Sequence, residues 1–313
     1  MNPPTKKRWQ RVDGVLLLDK PEGMSSNAAL QRARRLFSAE KAGHTGTLDP
    51  FATGLLPLCF GEATKFSADL LAADKTYEAE ALLGITTDTG DSEGAITATQ
   101  TVMATAADVA AVLPRFTGDI QQIPPMYSAL KREGQPLYKL ARAGKMVERE
   151  ARVITIHALE LLAFALPRLR FRVRCSKGTY IRALAEDLGK ALGCGAHLVA
   201  LRRTGVGDLT LETARSLSEL EHLPEAERPQ RLAPVDHLIA SLPAVVLGTS
   251  AAQRFCHGNP VSPPLAEGLA LSGKIRAYAE NLSPENLLGV GTLHPDGLLW
   301  PQRLLATPLP HPG

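Results

Sequence analysis

Four cysteines are scattered through the 313 residues, at positions 59, 175, 194 and 256, and no two form a C-x-x-C pair. That spacing argues against a zinc site and, with no export signal, points to reduced thiols in a cytosolic protein. No apolar run approaches the roughly 18 residues that a membrane-spanning helix needs. Met1 to Arg11 is polar and basic and has no apolar segment before a cleavage site, so it is not expected to be a secretory signal. The eight histidines show neither H-x-x-x-H nor H-E-x-x-H spacing, and no metal is expected. Gly268 to Ile275 nearly matches a phosphate-binding loop, but Ile275 stands where a hydroxyl must meet magnesium. The acidic run Asp88 to Gly94 lacks the remaining calcium-loop ligands and is expected to form an Asx-type turn.

What is present is ordinary in bulk. A hydrophobic fraction of 44% and a charged fraction of 21% suit a folded globular chain. The length allows one large domain and a small one. Gly14 to Lys20 reads as a buried strand stopped by Pro21, and Ser25 or Ser26 caps a helix running to Phe37. Lys41 to Gly61, rich in Gly, Pro and Thr, is expected to be largely irregular. Lys75 to Gly84 alternates as a strand, and Ala106 to Leu113 reads as a short helix between Thr105 and Pro114. Ser216 to Pro243 is weakly patterned and reads as a connection. The last seventy or so residues read as a small β module, with a hairpin turn at His294 to Gly297.

Net charge is only +3, but it is unevenly placed. Lys131 to Arg152 carries +4 and Arg168 to Arg203 carries +7, so the remaining residues sum to −8. Such segregation suggests a polyanion-binding side. Within the second stretch, Arg168, Arg170, Arg172 and Arg174 alternate with Leu169, Phe171 and Val173, which places four arginines on one strand face. A solvated outer sheet face explains that pattern equally well.

The segment from Gly43 to Gly54, GHTGTLDPFATG, sets three glycines and several hydroxyl or imidazole side chains around one carboxylate, Asp49. That composition suits a loop that approaches a ligand closely. An isolated Asp-Pro pair is ordinarily just a turn. The longer string, GHTGTLDPFATGLLP, resembles the catalytic-loop signature of the TruB family of tRNA pseudouridine synthases. Leu18-Asp-Lys-Pro21, Lys75-Thr-Tyr-Glu78, Ile123 to Lys131, Cys175 to Arg182 and Gly195 to Arg203 resemble further motifs of that family in the same order, across roughly residues 12–240.

The resemblance implies an α+β pseudouridine synthase fold with a mixed, mainly antiparallel central sheet. It places a catalytic domain at 1–240, with an RNA-clamping insertion at about 123–152, and a small C-terminal β domain, PUA-like, at 241–313. It further implies isomerisation of the T-loop uridine, position 55, of tRNA to pseudouridine by a cytoplasmic enzyme. No cofactor, metal or protein partner is expected, and nothing in the sequence demands more than a monomer. Asp49 matches the family's essential carboxylate and Arg182 the arginine that pairs with it, a contact that lowers a carboxylate pKa. Tyr77 matches the tyrosine stacked on the target base, with a role in proton transfer. Tyr180 and Leu201 match pocket-lining residues, and His44 matches the histidine that helps extrude and stack loop nucleotides. Lys20 matches a first-motif lysine, more structural or phosphate-facing than catalytic, while His197 and Arg202 could bind phosphate or serve the structure. Two rivals remain: a non-catalytic RNA-binding protein or tRNA chaperone on the same scaffold, and a small-molecule nucleotide hydrolase.

Overall fold

The computed structural model describes residues 8–128, 130–132, 134–264 and 272–306. Met1 to Lys7, the first half of the Gly268 to Ile275 near-match and the residues after Ala306 lie outside that range. In chain order the strands are β1 (Gly14–Lys20), β2 (Ala42–His44), β3 (Thr53–Phe60), β4 (Lys75–Leu83), β5 (Ile85–Thr87), β6 (Ile96–Thr99), β7 (Gly118–Gln122), β8 (Lys131–Arg132) and β9 (Gln135–Pro136). There follow β10 (Arg152–Ala165), β11 (Arg168–Cys175), β12 (Ala196–Val206), β13 (Leu209–Thr210), β14 (Arg215–Ser216), β15 (Ala244–Leu247), β16 (Gly273–Ala279), β17 (Leu287–Leu293) and β18 (Leu299–Leu304). The α-helices are α1 (Ser26–Leu36), α2 (Ser67–Ala72), α3 (Ala106–Val112), α4 (Leu137–Arg142), α5 (Ile181–Ala191), α6 (Leu217–His222) and α7 (Thr249–Cys256).

One large sheet runs in the order β14-β1-β3-β12-β4-β11-β10-β7, with β13 and β2 attached beside it. Most pairs are antiparallel, and β1 with β14 and β3 with β12 are parallel. The fold is the expected α+β arrangement with a mixed, mainly antiparallel sheet. Strands β1 and β3 are buried on both faces, so they read as apolar runs, whereas β4 and β11 keep the alternation of a half-buried strand. On one face Leu16, Leu18, Leu56 and Leu58 pack with Ala29 and Leu30 of α1 and Leu184 and Leu188 of α5. On the other, Val15, Leu17, Leu55 and Cys59 meet Phe66, Leu238 and, from the second sheet, Tyr278 and Leu287.

That two-sided burial corrects the sequence reading of residues 41–61. The stretch contains β2 and all of β3, and β3 is a central strand with seven of its eight residues buried. Pro57 is tolerated because its main chain faces the end of β2, where its carbonyl accepts from the Thr45 amide at 3.2 Å and no ladder donor is required. Gly54 is the other special position. Its φ is +101°, and a Cβ there would stand 2.2 Å from the Arg203 carbonyl oxygen. Gly54→Ala is therefore expected to cost upward of about 4 kcal/mol, read as a collapse of the thermal melt.

The remaining local expectations fared unevenly. Thr105 caps α3 in a full capping box, and Pro114 opens a further 3-10 turn after α3 has ended. Residues 216–243 are more regular than expected, since Ser216 and Glu219 form a capping box that starts α6. The C-terminal strands make a four-stranded sheet, β15-β16-β17-β18, with Phe255 of α7 in its core. Buried Tyr278 donates to Asp236 at 2.8 Å and pins that sheet to the back of the large one. No helix among the described residues is long and apolar enough to cross a membrane.

Candidate active site

Asp49 is held in place from both sides of its own backbone. The Ser26 hydroxyl, in the first turn of α1, donates to the Leu48 carbonyl at 3.0 Å and accepts from the Leu48 amide at 2.7 Å. Lys20, fully buried at the end of β1, donates to the carbonyls of Pro21, Met24 and Pro50. The residues before and after Asp49 are thus fixed by neighbouring elements, and the carboxylate has little freedom to swing. Burial pushes the Lys20 ammonium down to about 8, against the pull of Asp49 and Glu22. Its first duty is structural, as the sequence reading expected.

Arg182 enters from the first turn of α5. Its Nε lies 3.0 Å from an Asp49 oxygen and its Nη1 lies 3.2 Å from an Asp91 oxygen. The guanidinium also donates to the carbonyls of Thr89 and Tyr127. Its side chain is only 5% exposed, whereas that of Asp49 is 36% exposed. A lone arginine at the start of a striped helix would ordinarily sit in solvent; here it is a buried clamp between two carboxylates. Asp91 was hidden in the acidic turn first weighed as a calcium loop. Its Oδ1 accepts from the Thr89 hydroxyl at 2.6 Å and the Glu93 amide at 3.1 Å, the expected Asx turn, which leaves Oδ2 for Arg182. Among the described residues no group of three metal-binding side chains occurs.

The charge balance of Asp49 differs from the expectation in its net sign. Burial raises its pKa above the usual carboxylate value, Asp91 adds to the rise, and Arg182 and Lys20 only oppose it. A chemistry that needs the carboxylate ionised should fail on the acid side at a pH above the ordinary carboxylate value of 3.8. A single-turnover pH–rate profile checks this.

The other expected site residues come from three strands and a helix start. Tyr77, in β4, is nearly buried and stands directly opposite Arg203 of β12. Burial raises its pKa, with Asp49 near enough to add to the rise. Tyr180 precedes α5 and is held by Gln122, whose side chain accepts from its amide at 2.8 Å and donates to its carbonyl at 3.1 Å. Its phenol also feels Arg182 and Asp49, which brings it to the same site. Leu201 is buried beside Ala79 on β12 and shares the core with Tyr77, Leu48, Phe51 and Ile181. His44, at the end of β2, lies on the Arg203 side. Burial and then Arg203 lower its pKa, so it is neutral at physiological pH, and its buried Nδ1 has no hydrogen-bond partner among the described residues.

Other expectations resolve as structure. His197 Nδ1 meets the Ile85 carbonyl at 2.9 Å, and Arg202 forms a two-point ion pair with Asp19 at 2.7 and 3.1 Å. Lys75 of the Lys-Thr-Tyr-Glu motif closes the end of α2 through the carbonyls of Leu70, Leu71 and Ala73. The arginine ladder of β11 is not a free basic stripe. Arg168 and Arg170 meet Glu80, Arg172 meets Glu78 and Glu160, and Arg174 meets Asp74. Lys131, Lys139, Arg142 and Lys145, by contrast, are exposed on the β8–β9 hairpin and α4 and just after it, and no described carboxylate pairs with them. The unbalanced positive charge is therefore on that arm. Residue spacing alone could not separate these cases, because the neutralising acids of β4 and β10 are distant in sequence.

Comparison with known proteins follows the same outline. Residues 34–181 match the model of the TruB family pseudouridylate synthase N-terminal domain. Residues 182–244 match the tRNA pseudouridylate synthase B C-terminal domain, and 243–305 match the C-terminal region described as pseudouridine synthase II TruB. The chain is 63% identical to tRNA pseudouridine synthase B of Dechloromonas aromatica, over 96% of its own length and 98% of that protein. It is 56% identical to the protein of the same name from Burkholderia mallei, over 98% of both. Among solved structures, a chain of a Cbf5-Nop10-Gar1 complex is similar with a TM-score of 0.68 at 27% identity, over 93% of this chain and 84% of that one. A chain of an H/ACA RNP bound to a substrate RNA containing 2'-deoxyuridine gives 0.67 at 25% identity, over 93% and 84%.

Proposed function

Since the chain belongs to the TruB family of pseudouridylate synthases, we propose that it isomerises uridine in tRNA to pseudouridine, at position 55 of the T-loop. The observation that carries the reading is the placement of Asp49, a part-exposed carboxylate gripped at 3.0 Å by a buried arginine and fixed by Ser26 and Lys20. The reaction must break the N–C bond between uracil and ribose, turn the base and rejoin it through C5. A uracil stacked in a loop cannot be reached, so it must be flipped out, at a cost of a few kcal/mol.

Asp49 is the group at the reacting centre, acting as nucleophile or base beside the sugar and base. Arg182 holds it ionised and aimed. Tyr77 stacks on the uracil and takes part in moving the C5 proton, while Tyr180 and Leu201 wall the pocket. An unpartnered buried ring nitrogen costs about 1–3 kcal/mol, so His44 Nδ1 is suited to meet its partner only in the RNA complex. The arm whose Lys131, Lys139, Arg142 and Lys145 pair with no described carboxylate supplies phosphate contacts around the T-arm, within an insertion at about 123–152. Residues 1–240 form the catalytic domain and 241–313 a PUA-like RNA-binding module. The chain works alone in the cytoplasm, as a monomer, without cofactor or metal.

The position is tested with a T-arm stem–loop tritiated at uracil C5. The full substrate is expected to release tritium with the purified chain alone in chelator. Replacing only uridine 55 by cytidine should abolish release. Undiminished release from the replaced substrate would overturn the position.

Charge-changing variants of the arm test the binding role. Lys139→Glu with Arg142→Glu is expected to weaken T-arm binding about tenfold or more at low salt and to flatten its salt dependence. Titration by filter binding reads both quantities.

A further inference from the structure

Two arginines back this site, and only one is balanced. Arg182 faces two carboxylates. Arg203 is 1% exposed, and no described carboxylate pairs with it. A buried guanidinium without a counter-ion is costly and must be satisfied by other acceptors. Its Nε donates to the Leu55 carbonyl at 2.7 Å and its Nη2 to the Gly46 carbonyl at 3.2 Å. Arg203 on β12 stands directly opposite Tyr77 on the antiparallel strand β4. Opposed residues of such a pair send their side chains from the same face, so the guanidinium and the phenol lie side by side, and the charge of Arg203 acts on Tyr77 against the rise that burial causes.

We propose that Arg203 is a positioning residue for Tyr77: one planar fork fixes the phenolic oxygen and, through Gly46, the loop that carries Asp49. The inference rests on the reading above, in which Tyr77 moves the C5 proton. A guanidinium can only donate. It therefore occupies a lone pair of the phenolic oxygen and leaves the O–H directed elsewhere, toward the pocket. When the hydroxyl proton passes to water, the phenolate is stabilised by the adjacent fixed charge. The phenolate then takes the proton from C5, the C–H bonding pair forms the C5–C6 double bond of the product, and the C6–N1 π pair returns to N1, which picks up a proton from water. Burial lowers the pKa of His44 and of Lys20, and the charge of Arg203 adds to both shifts.

Single-turnover tritium release from T-arm RNA tests the assignment in a double-mutant cycle. Arg203→Met is expected to slow release about 100-fold, with RNA affinity unchanged, and Arg203→Lys to recover part of the loss. In a Tyr77→Phe background both substitutions should cost less than about threefold, because the group they act through is gone. Equal losses in the two backgrounds, or a wild-type rate for Arg203→Met, would overturn the proposal. Absence of release by wild type is a different result and counts against the activity itself. If neither Arg203 variant folds, 15N-arginine spectra of the wild type and Tyr77→Phe decide the matter. A protected guanidinium N–H signal should move when the phenol oxygen is removed, and identical spectra would refute the contact.

Discussion

Asp49→Asn should lower single-turnover pseudouridine formation by at least about 10⁴-fold, the scale seen when a group at the reacting centre is removed. The amide nearly preserves the shape, so affinity for T-arm RNA is expected to stay within about threefold. The loss must then fall on the chemical step and not on KM. Folding should not suffer. Burial raises the carboxylate's pKa, which means that the ionised form is the costly one in the folded state. Stability from this group is present below the unfolded value and is lost as pH rises through the folded one. At pH 7 the neutral amide is thus expected to melt no lower than the wild type. A variant that loses activity only because it unfolds would show a lowered melt, which separates the two explanations.

Arg182→Met should lose activity and stability together. It leaves Asp49 and Asp91 facing one another with no cation between them, and Asp91's side chain is only 4% exposed. Removing one partner of a buried pair costs about 3–5 kcal/mol. Burial and the Asp91 charge then raise the Asp49 pKa with no arginine to oppose them, so Asp49 spends less of its time as the reactive anion. Activity is expected to fall by about 10³-fold or more, and lowering the pH should restore part of the stability but none of the rate. Arg182→Lys keeps the charge and loses the fork, so it should recover stability better than activity. An Arg182→Met enzyme with wild-type turnover would remove this clamp from the mechanism.

The sequence carried the fold where burial wrote a pattern along the chain. Alternation in Lys75 to Leu83 and Arg168 to Cys175 appears as β4 and β11, and Ser25 does cap α1. It failed at β3, because a strand buried on both faces and interrupted by Pro57 has no alternation to read. The order of motifs pointed to Asp49, Tyr77 and Arg182, and the structure places them around one site. Asp91 and Arg203 were missed for a physical reason. Each meets its partner only in the fold, Asp91 in the ion pair with Arg182 and Arg203 in the register that sets it opposite Tyr77, so neither spacing nor composition marks that placement. Ser26 and Gln122 are similar, since their work is to hold the backbone of Leu48 and Tyr180. The arginines of β11 misled in the opposite direction, because their acids arrive only when β4 and β10 pair beside them.

The most direct test of the account is tritium released from C5-labelled T-arm RNA by the purified wild-type chain, in chelator and without added protein. Release of one tritium per RNA, with the base recovered as pseudouridine, is the predicted result. RNA that is bound tightly and keeps its label would contradict the account, and the chain would then be an RNA-binding protein on a synthase scaffold.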